Sequence, residues 1–194
     1  MLVLNPIIFL YYFKEDLKMK KDLIKSYEIL KNLFSEIGSE CKNCNICCNT
    51  YGWLLKGEAK FYLKKGFSLA KINDKINCID LFQRDKFGNV IMARIPQCRF
   101  YKKNRCLIQK IKPLSCRLYP LKIIFIKNEP TWVISTRCKY FSNLNPNEKK
   151  IFLNNVNWAL EKLPPKIKKE YIDLMLDVSK ISKKKRFPYK MIYQ

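Results

Sequence analysis

The chain has 194 residues, enough for one domain with a sizeable core, and its 48% hydrophobic and 13% aromatic content excludes an intrinsically disordered chain. Lys and Arg number 39 against 16 Asp and Glu, and the formal charge of +23 points to an anionic partner, either nucleic acid or an acidic protein surface. No histidine is present, which excludes Cys–His catalytic pairs and Cys₂His₂ zinc sites and removes the commonest general base.

The chain opens with the apolar segment MLVLNPIIFLYYF, residues 1–13. It is too short to span a bilayer, contains Pro6, and lacks a basic lead or a small-residue cleavage site. MKKDLIKSYEIL restarts at Met19 like a second N-terminus, so residues 1–18 read as an over-extended start or a loosely docked arm. With no export signal, the expected compartment is the reducing cytoplasm. Leu23, Tyr27, Leu30, Phe34 and Ile37 recur at steps of four, three, four and three, which predicts a helix over 19–37 stopped by Gly38. A short helix follows over Lys56 to Lys65, ended by Gly66.

The middle of the chain reads as strands. Asn89 to Ile95, NVIMARI, is a β-leaning run between Gly88 and Pro96. Leu121 to Lys127 and Thr131 to Thr136 flank the turn signal Asn128-Glu129-Pro130 and form a predicted hairpin that runs into Cys138. Helices return after it. Asn145 as N-cap, Pro146 at the first helical position and Glu148 two residues later mark a start, with Ile151, Val156, Ala159, Leu160 and Leu163 on the core face. A last helix carries Ile167, Tyr171, Leu174, Met175, Val178 and Ile181. The chain ends in a basic tail with Phe187, Tyr189 and Tyr193 interleaved, a segment that is either solvated or tracks a nucleic-acid backbone. The expected architecture is small α+β: a cysteine-cluster domain over 41–138 with a few short antiparallel strands. An N-terminal arm and helix over 1–40 and C-terminal helices with the basic tail over 139–194 flank it.

Nine cysteines fall at 41, 44, 47, 48, 78, 98, 106, 116 and 138, and four of them crowd into CKNCNICC. A disulfide framework would need an oxidising compartment, and nine is odd. Metal binding accounts for the run better. Each Cys-x₂-Cys turn lets two thiolates converge, and Cys41, Cys44 and Cys47 chain two such turns, like the three local ligands of a bacterial-type [4Fe–4S] site. Zinc knuckles more often show two local ligands and a nearby Gly, so this spacing favours an iron–sulfur cluster over zinc. Adjacent residues point apart in most backbone conformations, so Cys48 is expected at a second centre, supplied by Cys98, Cys106, Cys116 and Cys138. Eight ligands make two four-thiolate centres if a distant cysteine supplies the fourth ligand beside Cys41, Cys44 and Cys47. The ninth cysteine, Cys78 in KINCIDLF, reads as a buried thiol outside them.

CKNCNICC, Cys98, Cys106, Cys116-Arg117-Leu118-Tyr119-Pro120 and Cys138 together resemble the CxxCxxCC, or YkgJ-like, cysteine-cluster family, described as zinc- or iron-chelating. The resemblance covers about residues 41–138 and implies that the eight matching cysteines are metal ligands. The chain departs from that pattern in CLIQKIKP, where Gln109 replaces a usual aromatic and Lys112 a usual Arg. One branch of the family is the flagellin lysine N-methylase, which makes a protein-modifying enzyme the more distant reading, although the five glycines form no methyl-donor loop of the GxGxxG kind. Arg99, Arg105, Arg117 and Arg137 each neighbour a cysteine. Arg117, within the shared CRxYP piece, is the candidate to offset thiolate charge and hydrogen-bond to sulfur at the bound cofactor. Trp53, Phe100 and Tyr101 are expected to shield the centre, and Tyr119 with Pro120 to turn the chain. Metal analysis checks the ligand count: Cys78→Ser should keep the wild-type metal content and Cys48→Ser should lower it. Loss of metal from Cys78→Ser would contradict eight ligands plus one.

Overall fold

The computed structural model describes residues 21–34, 52–72, 76–79, 98, 100–103, 105–182 and 189–192. The run CKNCNICC, the NVIMARI segment, residues 1–18 and the predicted helix end at Ile37 and Gly38 lie outside the described residues. The fold is α+β, with helices carrying most of the core and short antiparallel strand pairs inserted between them. No helix among the described residues is long and apolar enough to cross a membrane.

Helix α1 (Lys21–Leu33) buries Leu23, Tyr27 and Leu30, the first three positions of the predicted stripe, and Phe34 packs on the core just beyond it. Strand β1 (Trp53–Leu54) follows, then α2 (Lys56–Lys64), which buries Glu58, Ala59, Phe61 and Tyr62. Gly66 ends α2 as the sequence predicts, with φ of 75°. This left-handed conformation lets the Gly66 N–H reach the Leu63 carbonyl at 2.9 Å and the Phe67 N–H reach that of Tyr62 at 2.9 Å.

Strands β2 (Leu69–Ile72) and β3 (Ile76–Ile79) pair antiparallel, and β1 adds to β3 through Trp53↔Cys78 and Leu54↔Asn77. A two-residue pairing, β4 (Tyr101–Lys102) with β5 (Arg105–Cys106), leads through a loop into the short helix α3 (Leu114–Leu118). The Tyr119–Pro120 peptide that leaves α3 is cis.

The predicted hairpin is present as β6 (Leu121–Ile126) and β7 (Glu129–Ile134). Its turn is tighter than Asn128-Glu129-Pro130: Lys127 and Asn128, at φ of 51° and 70°, make the whole connection. Two central residues at positive φ match the twist of the flanking strands, so Glu129 and Pro130 pair with Ile126 and Phe125 inside the ladder.

Helices α4 (Lys139–Asn143), α5 (Pro146–Lys162) and α6 (Pro165–Ser182) complete the core. Asn145 Oδ1 accepts the Glu148 N–H at 3.0 Å while Glu148 Oε2 accepts the Asn145 N–H at 2.8 Å, the reciprocal cap that the sequence predicts. The core face of α5 is Phe152, Val156, Ala159 and Leu160, with Leu163 just beyond the helix. Ile151, expected there, is 60% exposed, because its five-residue step to Val156 falls off the face that Phe152 extends. On α6, Ile167 and Tyr171 join the main core. Farther along it, Leu174, Val178 and Ile181 pack a smaller cluster with Ala70, Ile76 and Cys78 of the sheet.

A final strand, β8 (Tyr189–Ile192), pairs with β2 from Leu69↔Ile192 to Ile72↔Tyr189 and completes a sheet of order β1-β3-β2-β8. The backbone at 189–192 therefore corrects the reading of a solvated basic tail: its hydrogen bonds go to β2. Replacing the α5 cap, Asn145→Ala, should cost about 1 kcal/mol in urea denaturation, within the range for lost N-caps. An unchanged midpoint would show that the cap is not holding α5.

Candidate metal centre

The described cysteines sit on elements anchored to the main core. Cys98 opens a turn whose carbonyl accepts the Tyr101 N–H at 2.9 Å, and Phe100, two residues on, meets Phe67 at 5.5 Å between ring centroids. Phe67 in turn contacts Tyr62 edge-on at 5.2 Å. Cys106 ends β5, paired with Tyr101, and Cys138 starts α4 as its N-cap residue, buried. Phe100 thus packs on Phe67, which follows α2 and meets its Tyr62. Trp53 packs beside the small cluster around Cys78.

Cys116 stands in the middle of α3, and its neighbours are held from several sides. The Ser115 hydroxyl donates to the Trp53 carbonyl at 2.8 Å. Arg117 Nε donates to the Lys112 carbonyl at 2.9 Å and Nη2 to that of Lys110 at 2.7 Å, while its guanidinium lies 4.3 Å from the Tyr27 ring centroid. Two of the donors expected to face sulfur are thus used to fold the CLIQKIKP loop back onto α3. The backbone of Gly52 lies against this helix: a Cβ added there would stand 3.7 Å from Cys116 Sγ and 3.6 Å from Pro113 Cγ.

Beneath α3 lies a residue that sequence reading does not single out. Glu58 is fully buried, and its Oε1 accepts the Tyr27 hydroxyl at 2.5 Å and the Leu114 N–H at 2.6 Å. Its Oε2 accepts the Leu55 N–H at 2.9 Å, capping its own helix, and Glu170 adds a bond from the Lys56 N–H at 3.1 Å. Burial raises the Glu58 pKa above its ordinary value of 4.5, partly offset by the bonds from Tyr27, Leu55 and Leu114 and by the Arg117 charge. Burial likewise raises Tyr62, and the charges of Glu58, Cys116 and Cys106 add to the shift. Tyr171, stacked on Trp132 at 6.0 Å, is raised by burial first and then by Cys116. The available signal for Glu58 was an acidic residue three positions past the helix start, which reads as an ordinary cap until its second partner, 56 positions away, is seen.

Cys78 is fully buried in β3, its thiol donating to the Ala70 carbonyl at 3.7 Å. That is the expected environment for a thiol inside the sheet. Cys41, Cys44, Cys47 and Cys48 lie outside the described residues. Among the described residues, no three Cys, Asp or Glu side chains gather closely enough to hold a metal ion. Cys98, Cys106, Cys116 and Cys138 do not form such a group among themselves, and the remaining cysteines of the expected centres lie outside the described residues. The donor chemistry fits a thiophilic metal, since the matching positions offer sulfur and the chain offers no imidazole. No protein-family model, curated protein or solved structure matches the chain.

The raised pKa of Glu58 has a defined sign. A carboxyl that binds its proton more tightly when folded contributes stability that is complete below its unfolded value and is lost as pH rises through the folded one. The stability difference between wild type and Glu58→Gln, read from urea midpoints, should therefore shrink as pH rises above 4.5. A difference that grows with pH would mean that the hydrogen bonds outweigh burial.

Proposed function

We propose that this chain binds iron through the eight thiolates of Cys41, Cys44, Cys47, Cys48, Cys98, Cys106, Cys116 and Cys138, as iron–sulfur or closely related iron centres. The reading follows the resemblance of these cysteines to the CxxCxxCC pattern. The observation that carries the reading is the seat of Gly52 on Cys116. Gly52 is four residues past Cys48, and four peptide units reach at most roughly 14 Å. Chain length therefore allows the end of CKNCNICC to reach a cysteine 68 positions later in the sequence. The charges of Cys106 and Cys116 both act to raise the pKa of the buried Tyr62.

Thiolate-held iron supplies one-electron chemistry, for redox or for a modification reaction on a partner. The protein's own residues hold and screen the thiolates. The segment between Asp85 and Glu129 carries eleven Lys and Arg and no acidic residue, so positive charge surrounds Cys98, Cys106 and Cys116 in the sequence. Such a protein works in a reducing compartment, the cytoplasm, where the thiols stay available to metal.

The same basic stretch supports a second reading, a structural zinc module that holds an anionic partner such as nucleic acid. Lys102, Lys103, Arg105 and Lys110 are exposed beside Cys98 and Cys106. Anaerobic purification with metal analysis and a visible spectrum separates the two. Iron with thiolate-to-iron absorption is expected. Two zinc ions and a colourless protein would overturn the iron reading, and salt-dependent retention of nucleic acid would then favour the second.

A further inference from the structure

Glu58 does more than any cap in the fold, because the helix it anchors carries a cysteine. Leu114 is the first residue of α3, and its N–H would be an unpartnered buried donor without Glu58 Oε1. Cys116 follows two residues later. Leu114, Ser115 and Arg117 are thus each hydrogen-bonded to a different part of the chain: α2, β1 and the loop before α3. These three bonds bracket Cys116 on both sides, while Gly52 lies against its sulfur. The Tyr27 hydroxyl orients the carboxylate from α1, the helix that precedes the cysteine run.

We propose that Glu58 is a positioning residue for the metal centre: its carboxylate fixes Cys116 before metal arrives and so sets metal affinity as well as fold stability. The proposal rests on Cys116 being a metal ligand. Preorganisation is the physical reason. A ligand already held in one place loses little freedom when metal binds, whereas a mobile α3 would have to be ordered at that moment. A carboxylate suits the task because it accepts from all three donors and offers none. Glutamine keeps the shape but turns one end into a donor, which then faces either the Leu55 N–H or the pair from Tyr27 and Leu114.

The test compares the full chain with Glu58→Gln, Tyr27→Phe, Cys116→Ser and Cys78→Ser, titrated with cobalt(II) or zinc against a chelator. Melting is followed with and without metal. Glu58→Gln should weaken metal binding by about tenfold or more, the usual cost of losing a group that orients a ligand, and should alter the thiolate-to-cobalt absorption. In the metal-free chain, Cys116 of Glu58→Gln should be alkylated faster than in wild type. Tyr27→Phe keeps the carboxylate and its two backbone partners, so it should shift affinity in the same direction by less, even if Glu58→Gln folds poorly. Cys78→Ser should match wild type. Wild-type affinity and absorption in both Glu58→Gln and Tyr27→Phe, with only the melting midpoint lowered, would overturn the positioning role and leave the metal reading standing. Full metal content and affinity in Cys116→Ser would instead overturn Cys116 as a ligand and the proposal with it.

Discussion

The fold around the cysteines depends on one buried carboxylate. An ionisable group taken out of water is costly unless each lone pair finds a donor, and Glu58 is fully buried. Its donors come from α1 (Tyr27), from its own helix start (Leu55) and from α3 (Leu114). Meeting that demand draws together three helices that are 31 and 56 positions apart in sequence. The apolar residues beside it, Leu30, Tyr62, Leu114 and Leu118, are almost completely buried, so the polar knot sits inside the core.

This arrangement holds the residues on both sides of Cys116 from outside its own helix. Its helix has only five residues and makes few bonds of its own, so its placement is set by side chains from elsewhere. Arg117 shows the same economy. Its guanidinium spans the Lys110 and Lys112 carbonyls and the Tyr27 ring, tying the loop from Cys106 to the helix of Cys116. Gln109 and Lys112 fall in this loop, where at Lys110 and Lys112 the backbone rather than the side chain receives the arginine. The aromatic series Tyr62, Phe67 and Phe100 then fixes the turn at Cys98 to the same core.

Local features were legible because their physics is local. The stripe of α1, the Asn145-Pro146-Glu148 start and the Gly66 stop each follow from a few adjacent residues, and the fold reproduces them. Ile151 was misplaced where two apolar residues stood side by side, and only the packing of Phe152 decides between them. The hairpin was legible, but the Lys127-Asn128 turn was masked by a proline that β7 accommodates at its start. The four-stranded sheet was not legible. Its strands have two to four residues, and β8 comes from more than a hundred positions beyond β2, a distance at which no short pattern carries information. Glu58 escaped for a related reason: its role exists only once α3 arrives.

The central claim is that the thiolates of CKNCNICC and of the distal cysteines meet around metal. X-ray absorption at the metal edge of the anaerobically purified chain tests it most directly. An all-sulfur first shell, at the iron edge, is the result predicted by eight cysteines and no histidine. A shell of nitrogen or oxygen atoms, or protein that carries no metal, would contradict it.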